Sequence, residues 1–422
     1  MIGVSNKVTS LFVKLFSGKF LVLVLGFVNT IILANGIDAE GIGHYFFIIA
    51  TSMLLMLFID WGGHSYYFKR LIKVKESKAY TVSMATYNVS KVIASVLISM
   101  LLLALVALSF LSAVDAIFII LLSTTFAFQH SIFTILKVQG KFKAAQNSYE
   151  LIPTLARSVM FLGGFLMLDE PTVLHALLAH LMSTLISILI YFQMFSRFDG
   201  TTISLPKATH RIKANISRLT PLALVNIALY FHSQVDVIVL KFLNQPDDII
   251  GQYGVAARVA QLFGVVYSIL ALVFPNKIAE YVNQVRLTEL NSLLSKLTCF
   301  MIVLGLGQYV ILYFTIDFIL PIWGQDFIAA KPYVMLLCFA QLFMMAFSIY
   351  SHALFFLNHQ KYNTILEIGG FLLNLLLSIF MISILGPVGG ALATCVSMCL
   401  LNTLRFVFYK KAVNERHKVK PV

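Results

Sequence analysis

Five ionisable side chains interrupt long apolar runs of this chain: Lys91, Arg157, Asp236, Arg258 and Glu367. A charge in hydrocarbon costs several kcal/mol and marks a pathway, a relay or a binding cavity. The chemistry these residues could perform is therefore the handling of ions and charged groups, not bond-making. Sequence motifs for bond-making are missing: there is no GxxxxGK[ST], no Gly-x-Ser-x-Gly and no His/Cys/acid group with metal-ligand spacing. No cofactor or metal is expected. The bases Lys91, Arg157 and Arg258 outnumber the acids, so a cavity shared by them is net cationic and favours an anionic cargo such as a phosphate or pyrophosphate headgroup. Arg157, Arg258 and Lys91 are the candidate electrostatic contacts, and Asn226 and Asn374 complete the candidate substrate-binding set. Asp236 and Glu367 are the candidates for coupling to protons or cations, or for gating. His232, one turn from Asp236, is a candidate pH reporter. Asp60, in Asp60-Trp61-Gly62-Gly63, joins the gating set, and taken by itself reads as a helix stop with a capping acid.

Helical phase groups these residues. At about 100° per residue, Asn363, Glu367, Asn374 and Ser378 fall within roughly 60° of one another. Asn226, Tyr230, His232, Ser233 and Asp236 cover one broad face of another helix. Such stripes suit a polar cavity or a hydrogen-bonded seam between packed helices. Asp236 and Arg258 lie at similar distances from one acidic connection. They form a structural ion pair, or a pair that opens when an anion or a proton arrives. Lys14, Lys19, Lys69 and Arg70 sit where long side chains reach lipid phosphates.

The elements that must hold these residues follow from composition. Of 422 residues, 59% are hydrophobic and 12% charged, and the mean hydropathy is +0.89. A soluble domain is about 25% charged, so a water-soluble globule is excluded, as are disorder and a disulfide scaffold. Spanning helices need about 20 apolar residues each. Stretches of that kind occur at 17–34, 45–60, 84–110, 116–136, 150–168 and 172–194, then at 220–243, 252–274, 296–316, 333–356, 363–385 and 388–409. The first reads as an uncleaved anchor. Twelve helices leave only short connections. These alternate in sign: acids such as Asp38, Asp115, Asp169 and Asp247 on one side, bases such as Lys73, Lys137, Lys213 and Lys411 on the other. The positive-inside rule then puts both termini in the cytoplasm and accounts for the net charge of +13 without nucleic acid.

The chain also repeats itself. Glu40–Tyr45 reads against Asp248–Tyr253, Lys141-Phe142 against Lys361-Tyr362, and Pro171 with Ala176-Leu177 against Pro387 with Ala391-Leu392. These offsets cluster near half the chain length. The expectation is an N-terminal lobe at 1–194, a basic linker at 195–219, a C-terminal lobe at 220–409 and a basic tail at 410–422. The lobes share one orientation, and a cleft between them suits alternating access.

The residues also carry a resemblance. The acid-x-x-Gly-x-Tyr loop at Glu40–Tyr45, Asp60–Gly62 after helix two, Asp236, and Gly251-Gln252-Tyr253 with Ala256-Ala257-Arg258 resemble the polysaccharide-exporter branch of the multidrug/oligosaccharidyl-lipid/polysaccharide (MOP) exporter superfamily. Pro275 and Leu385–Thr394 extend the likeness, especially to Wzx-type O-antigen flippases. Asn35 and Ile37-Asp38 depart from the pattern of that family's first loop. The resemblance implies an all-α integral membrane protein with two pseudo-symmetric six-helix lobes rocking around a central cavity. It also implies flipping of undecaprenyl-pyrophosphate-linked oligosaccharide units between leaflets of a bacterial inner membrane. Membrane lipids, an O-antigen polymerase and a chain-length regulator are the implied neighbours. The rivals are a cation-coupled exporter of small molecules on the same fold, and a membrane glycan polymerase or ligase. Short acidic connections argue against the enzyme, and a pure scaffold leaves the buried charges unexplained.

Overall fold

The computed structural model describes residues 6–75, 77, 79–195 and 205–418. Among them the chain is helical, with no strand. The helices are α1 (Asn6–Gly36), α2 (Ala39–Asp60), α3 (Gly63–Lys73), α4 (Ala79–Ala107), α5 (Ala113–Val138), α6 (Phe142–Met167), α7 (Val173–Phe195) and α8 (Leu205–Phe242). They continue as α9 (Asp247–Phe263), α10 (Val265–Asn283), α11 (Leu287–Ile319), α12 (Lys331–Phe347), α13 (Ile349–Phe356), α14 (Gln360–Leu385) and α15 (Pro387–Lys418). The chain forms two compact units, residues 1–227 and 228–422.

Ten helical stretches among the described residues are long and apolar enough to cross a membrane, or eleven with Pro206–Tyr230 and Gln234–Phe242 taken as one. They bear large exposed apolar side chains, such as Leu97, Met100 and Leu101 on α4 and Phe314 and Phe318 on α11. That is the surface lipid covers. The helix expected at 252–274 is instead two shorter ones that meet at Gly264. The basic connection expected after helix two contains a further helix. This is α3, which buries Tyr67 and Leu71 and exposes Lys69 and Lys73.

Local chemistry sets several boundaries. Asp38 begins α2 by accepting the Gly41 N–H at 2.8 Å, and Ser112 begins α5 by accepting the Asp115 N–H at 3.1 Å. Between α2 and α3 the backbone turns through left-handed Trp61 and Gly62, at φ 39° and 73°. Glycine is required at 62 because a Cβ there would stand 2.6 Å from the Leu219 carbonyl oxygen and 2.7 Å from the Ala223 nitrogen. The same turn is tied to α8 by Trp61, whose indole N–H donates to Thr220 at 3.2 Å.

In α6 a π turn at Asn147–Leu151 precedes Pro153. Proline has no N–H to offer the carbonyls one turn back. Gln129 supplies the missing donors, at 3.0 Å to the Ser148 carbonyl and 3.4 Å to that of Tyr149, and the Ser187 hydroxyl also donates to Ser148. An interior irregularity in a spanning helix is thus satisfied by neighbours, as an apolar medium demands.

Candidate functional site: four polar clusters

In the first unit α2, α4 and α5 enclose an ion pair. Lys91 Nζ lies 2.9 Å from Asp60 Oδ1, with side-chain exposures of 0% and 2%. The same oxygen accepts the Tyr87 hydroxyl at 2.8 Å, while Oδ2 accepts the His64 N–H at 2.8 Å and so caps α3. Lys91 also donates to the Ala127 carbonyl at 2.5 Å and stands 4.4 Å from the centre of the Tyr87 ring. Both carboxylate oxygens of the buried acid are thereby engaged, which is what makes such a pair tolerable. Beside it His64 stacks on His130 at 4.2 Å and meets the Thr134 hydroxyl at 2.5 Å. Burial pushes the His64 imidazole down to about 4, against the opposing pull of the Asp60 carboxylate.

A second cluster joins α2, α6 and α7. Arg157 Nη1 lies 2.8 Å from His180 Nε2 and 3.1 Å from Nδ1. The Tyr45 hydroxyl lies 2.7 Å from His180 Nδ1. Phe126 and Phe161 pack edge-on against His180 and Tyr45.

In the second unit Asp236 is buried with three hydroxyl donors. Tyr253 reaches Oδ2 at 2.5 Å, Thr394 reaches Oδ2 at 2.7 Å and Ser378 reaches Oδ1 at 2.9 Å. Asn374 adjoins them, its Oδ1 3.3 Å from Thr394 and 3.4 Å from Ser378. No basic side chain is among the partners of this carboxylate in the described residues.

The fourth cluster is the ion pair of Glu367 on α14 with Arg405 on α15. Arg405 also donates to Asn402 Oδ1 at 2.9 Å, which accepts the Ser348 hydroxyl at 3.2 Å.

These clusters redistribute the residues that sequence singles out. Lys91, expected to face a cargo, is consumed by Asp60. Glu367, a candidate for coupling or gating, is paired by Arg405 from the next helix. The stripe on α14 is a seam: Asn363 donates to the Ser351 carbonyl at 2.8 Å, Glu367 meets Arg405, and Asn374 and Ser378 join Asp236. Arg258 is not the partner of Asp236; its Nη1 donates to Gln261 at 3.1 Å, one turn along. Asn226 is half-buried on α8. Lys19, expected to reach lipid, pairs with Glu150 at 2.7 Å. The side chain of His232 lies outside the described residues. Sequence reasoning passes over Tyr87, His180 and Arg405, and marks Tyr45 only as part of the repeated loop motif. Arg405 lies close to the basic tail in sequence. His180 lies among apolar residues and has no charged neighbour along the chain.

The helices define a multi-pass membrane protein, with polar clusters inside each unit. By its residues 12–276 the chain belongs to the polysaccharide biosynthesis protein family. No curated protein matches it in sequence. Its fold is that of the MOP superfamily. A structure of the lipid II flippase MurJ in an inward closed conformation superposes with a TM-score of 0.75 at 18% identity, covering 94% of this chain and 87% of that one. An inward-facing MATE-family multidrug resistance transporter of the MOP superfamily gives 0.70 at 13% identity, with coverages of 94% and 96%. The MATE multidrug transporter DinF-BH gives 0.64 at 17% identity over 97% of each chain.

Proposed function

We propose that this protein is a flippase that carries undecaprenyl-pyrophosphate-linked O-antigen or related polysaccharide repeat units from the cytoplasmic to the periplasmic leaflet of a bacterial inner membrane. The movement is by alternating access, coupled to a proton or cation. Twelve spans with both termini in the cytoplasm, two lobes at 1–194 and 220–409 and a linker at 195–219 complete the reading. The observation that carries it is Asp236: a carboxylate inside an apolar bundle, served by three hydroxyls and, among the described residues, by no basic side chain. A structural acid would be paired, as Asp60 and Glu367 are. A carboxylate dressed only in hydroxyls suits the reversible binding of a proton or a small cation.

Arg157 and Arg258 are the proposed contacts for the anionic headgroup or for acidic sugars. Asp236 is the proposed coupling residue. Lys91 with Asp60, and Glu367 with Arg405, serve as latches that hold helices together and can act in gating. The family supports a glycan cargo over small drugs, and the fold supports transport over glycosyl transfer.

The test is reconstitution in vesicles that carry a fluorescent lipid-pyrophosphate oligosaccharide. Wild type should make the inner-leaflet label accessible to an external quencher, and Asp236→Asn should abolish its dependence on a proton or cation gradient. Unchanged label accessibility with wild-type protein would overturn the reading.

A further inference from the structure

The Tyr45 and Asp236 clusters take their residues from comparable places in the two halves of the chain. Tyr45 and Tyr253 stand 208 residues apart, Arg157 and Asn374 217 apart, and His180 and Thr394 214 apart. All three lie within the 208–220 range of the internal repeat. Each trio takes one residue near the start of the second helix of its half (α2, α9) and one each from the two paired helices that close it (α6 with α7, α14 with α15). In both, the tyrosine hydroxyl is bonded into the cluster, to His180 at 2.7 Å and to Asp236 at 2.5 Å. In both, the middle member keeps a buried donor without a partner: Arg157 Nε and Asn374 Nδ2.

The charge differs. The second unit draws its charge from Asp236 on α8. At the tyrosines' offset of 208, α1 has the neutral Val28. The first unit instead carries Arg157 where the second has a neutral amide. One duplicated polar site thus holds a cation in one half and an anion in the other.

We infer that the Tyr45–Arg157–His180 cluster is an oxyanion site, with Arg157 as the binding group and His180 and Tyr45 as positioning residues. This deepens the proposed function and rests on its reading of Arg157 as a cargo contact. The guanidinium is a rigid fork whose Nε and Nη2 edge suits two oxygens of a phosphate or carboxylate. That edge makes no hydrogen bond among the described residues, because only Nη1 is engaged. A buried N–H of a charged group without an acceptor is costly. The shorter contact, to Nε2, makes that nitrogen the acceptor for Arg157 and leaves Nδ1–H to donate to Tyr45. This chain of bonds fixes the plane of the fork. Phosphate of a lipid carrier and carboxylate of an acidic sugar share the oxyanion chemistry.

The experiment is calorimetric titration of the full-length protein in lipid nanodiscs with inorganic pyrophosphate and with glucuronate. At least one should bind wild type, and Arg157→Gln should weaken it by about tenfold or more. Tighter pyrophosphate assigns the site to the carrier headgroup, and tighter glucuronate assigns it to the sugar. His180→Leu should weaken binding several-fold at unchanged melting temperature, and His180→Gln, which keeps an acceptor, should restore it. The inference is overturned if neither anion binds, or if Arg157→Gln binds like wild type. Should Arg157→Gln not fold, equal affinities of His180→Leu and wild type would overturn it. Anion binding without flipping in the vesicle assay would remove the proposed function and spare this site.

Discussion

Lys91 reaches Asp60 across 2.9 Å inside the first unit, and neither side chain has more than 2% of its surface exposed. Removing one partner leaves an uncompensated buried charge, which costs about 3–5 kcal/mol. Asp60→Asn and Lys91→Met should each lower the melting temperature and membrane abundance sharply. The double variant should recover a large part of the loss. A double-mutant cycle by thermal unfolding in detergent reads this directly, and additive losses would refute the pairing.

Glu367 and Arg405 form the second-unit counterpart of that test. Glu367→Gln should destabilise the protein because the Arg405 cation stays enclosed with neutral amide acceptors and no counter-charge. The exchanged pair, Glu367→Arg with Arg405→Glu, should be more stable than either single change. Protein level and melting temperature are the measurements. If Glu367→Gln is as stable as wild type, the pair holds nothing together.

The turn at Asp60–Gly63 makes a steric prediction. Gly62→Ala adds a Cβ at φ 73°, 2.6 Å from the Leu219 carbonyl. Strain of about 1–3 kcal/mol is expected from the backbone alone, with more from the contact. Limited proteolysis near residues 215–225 should quicken in this variant. An unchanged digestion pattern would mean that the turn does not dock against α8.

His64 gives the stability a pH dependence. Its imidazole titrates at about 4 in the folded protein against 6.5 when free, so below 6.5 the unfolded chain binds more protons. Stability from this group is complete above pH 6.5 and is lost as pH falls towards 4. The span is worth at most about 3 kcal/mol. Thermal unfolding of His64→Gln across this window should show a shallower decline than wild type. Parallel curves would contradict the assignment.

Apolar length alone reveals the helices, because a span must satisfy its own backbone and so must be continuous and apolar. Where it is not, as at Gly264 between α9 and α10, composition could not mark the break. The ionisable residues were equally legible, but their partners were not. Asp60 reads as a cap from its place before Trp61-Gly62-Gly63, and it does cap α3; its second role depends on Lys91, which only helix packing brings near. Arg405 looks like part of the basic tail, yet it turns inward to Glu367. His180 carries no sequence mark beyond its offset of 214 residues from Thr394, a signal that gains meaning once Tyr45 and Tyr253 are seen bonded in the same way.

The central claim is that this protein moves a lipid-linked glycan unit across the membrane. It is tested most directly by depleting the protein in its native host and locating the lipid-linked repeat unit by leaflet-selective labelling. Accumulation on the cytoplasmic face, with loss of surface polymer, is the predicted result. Single units that still reach the periplasmic face and remain unpolymerised would contradict it and place the protein in a later step of assembly.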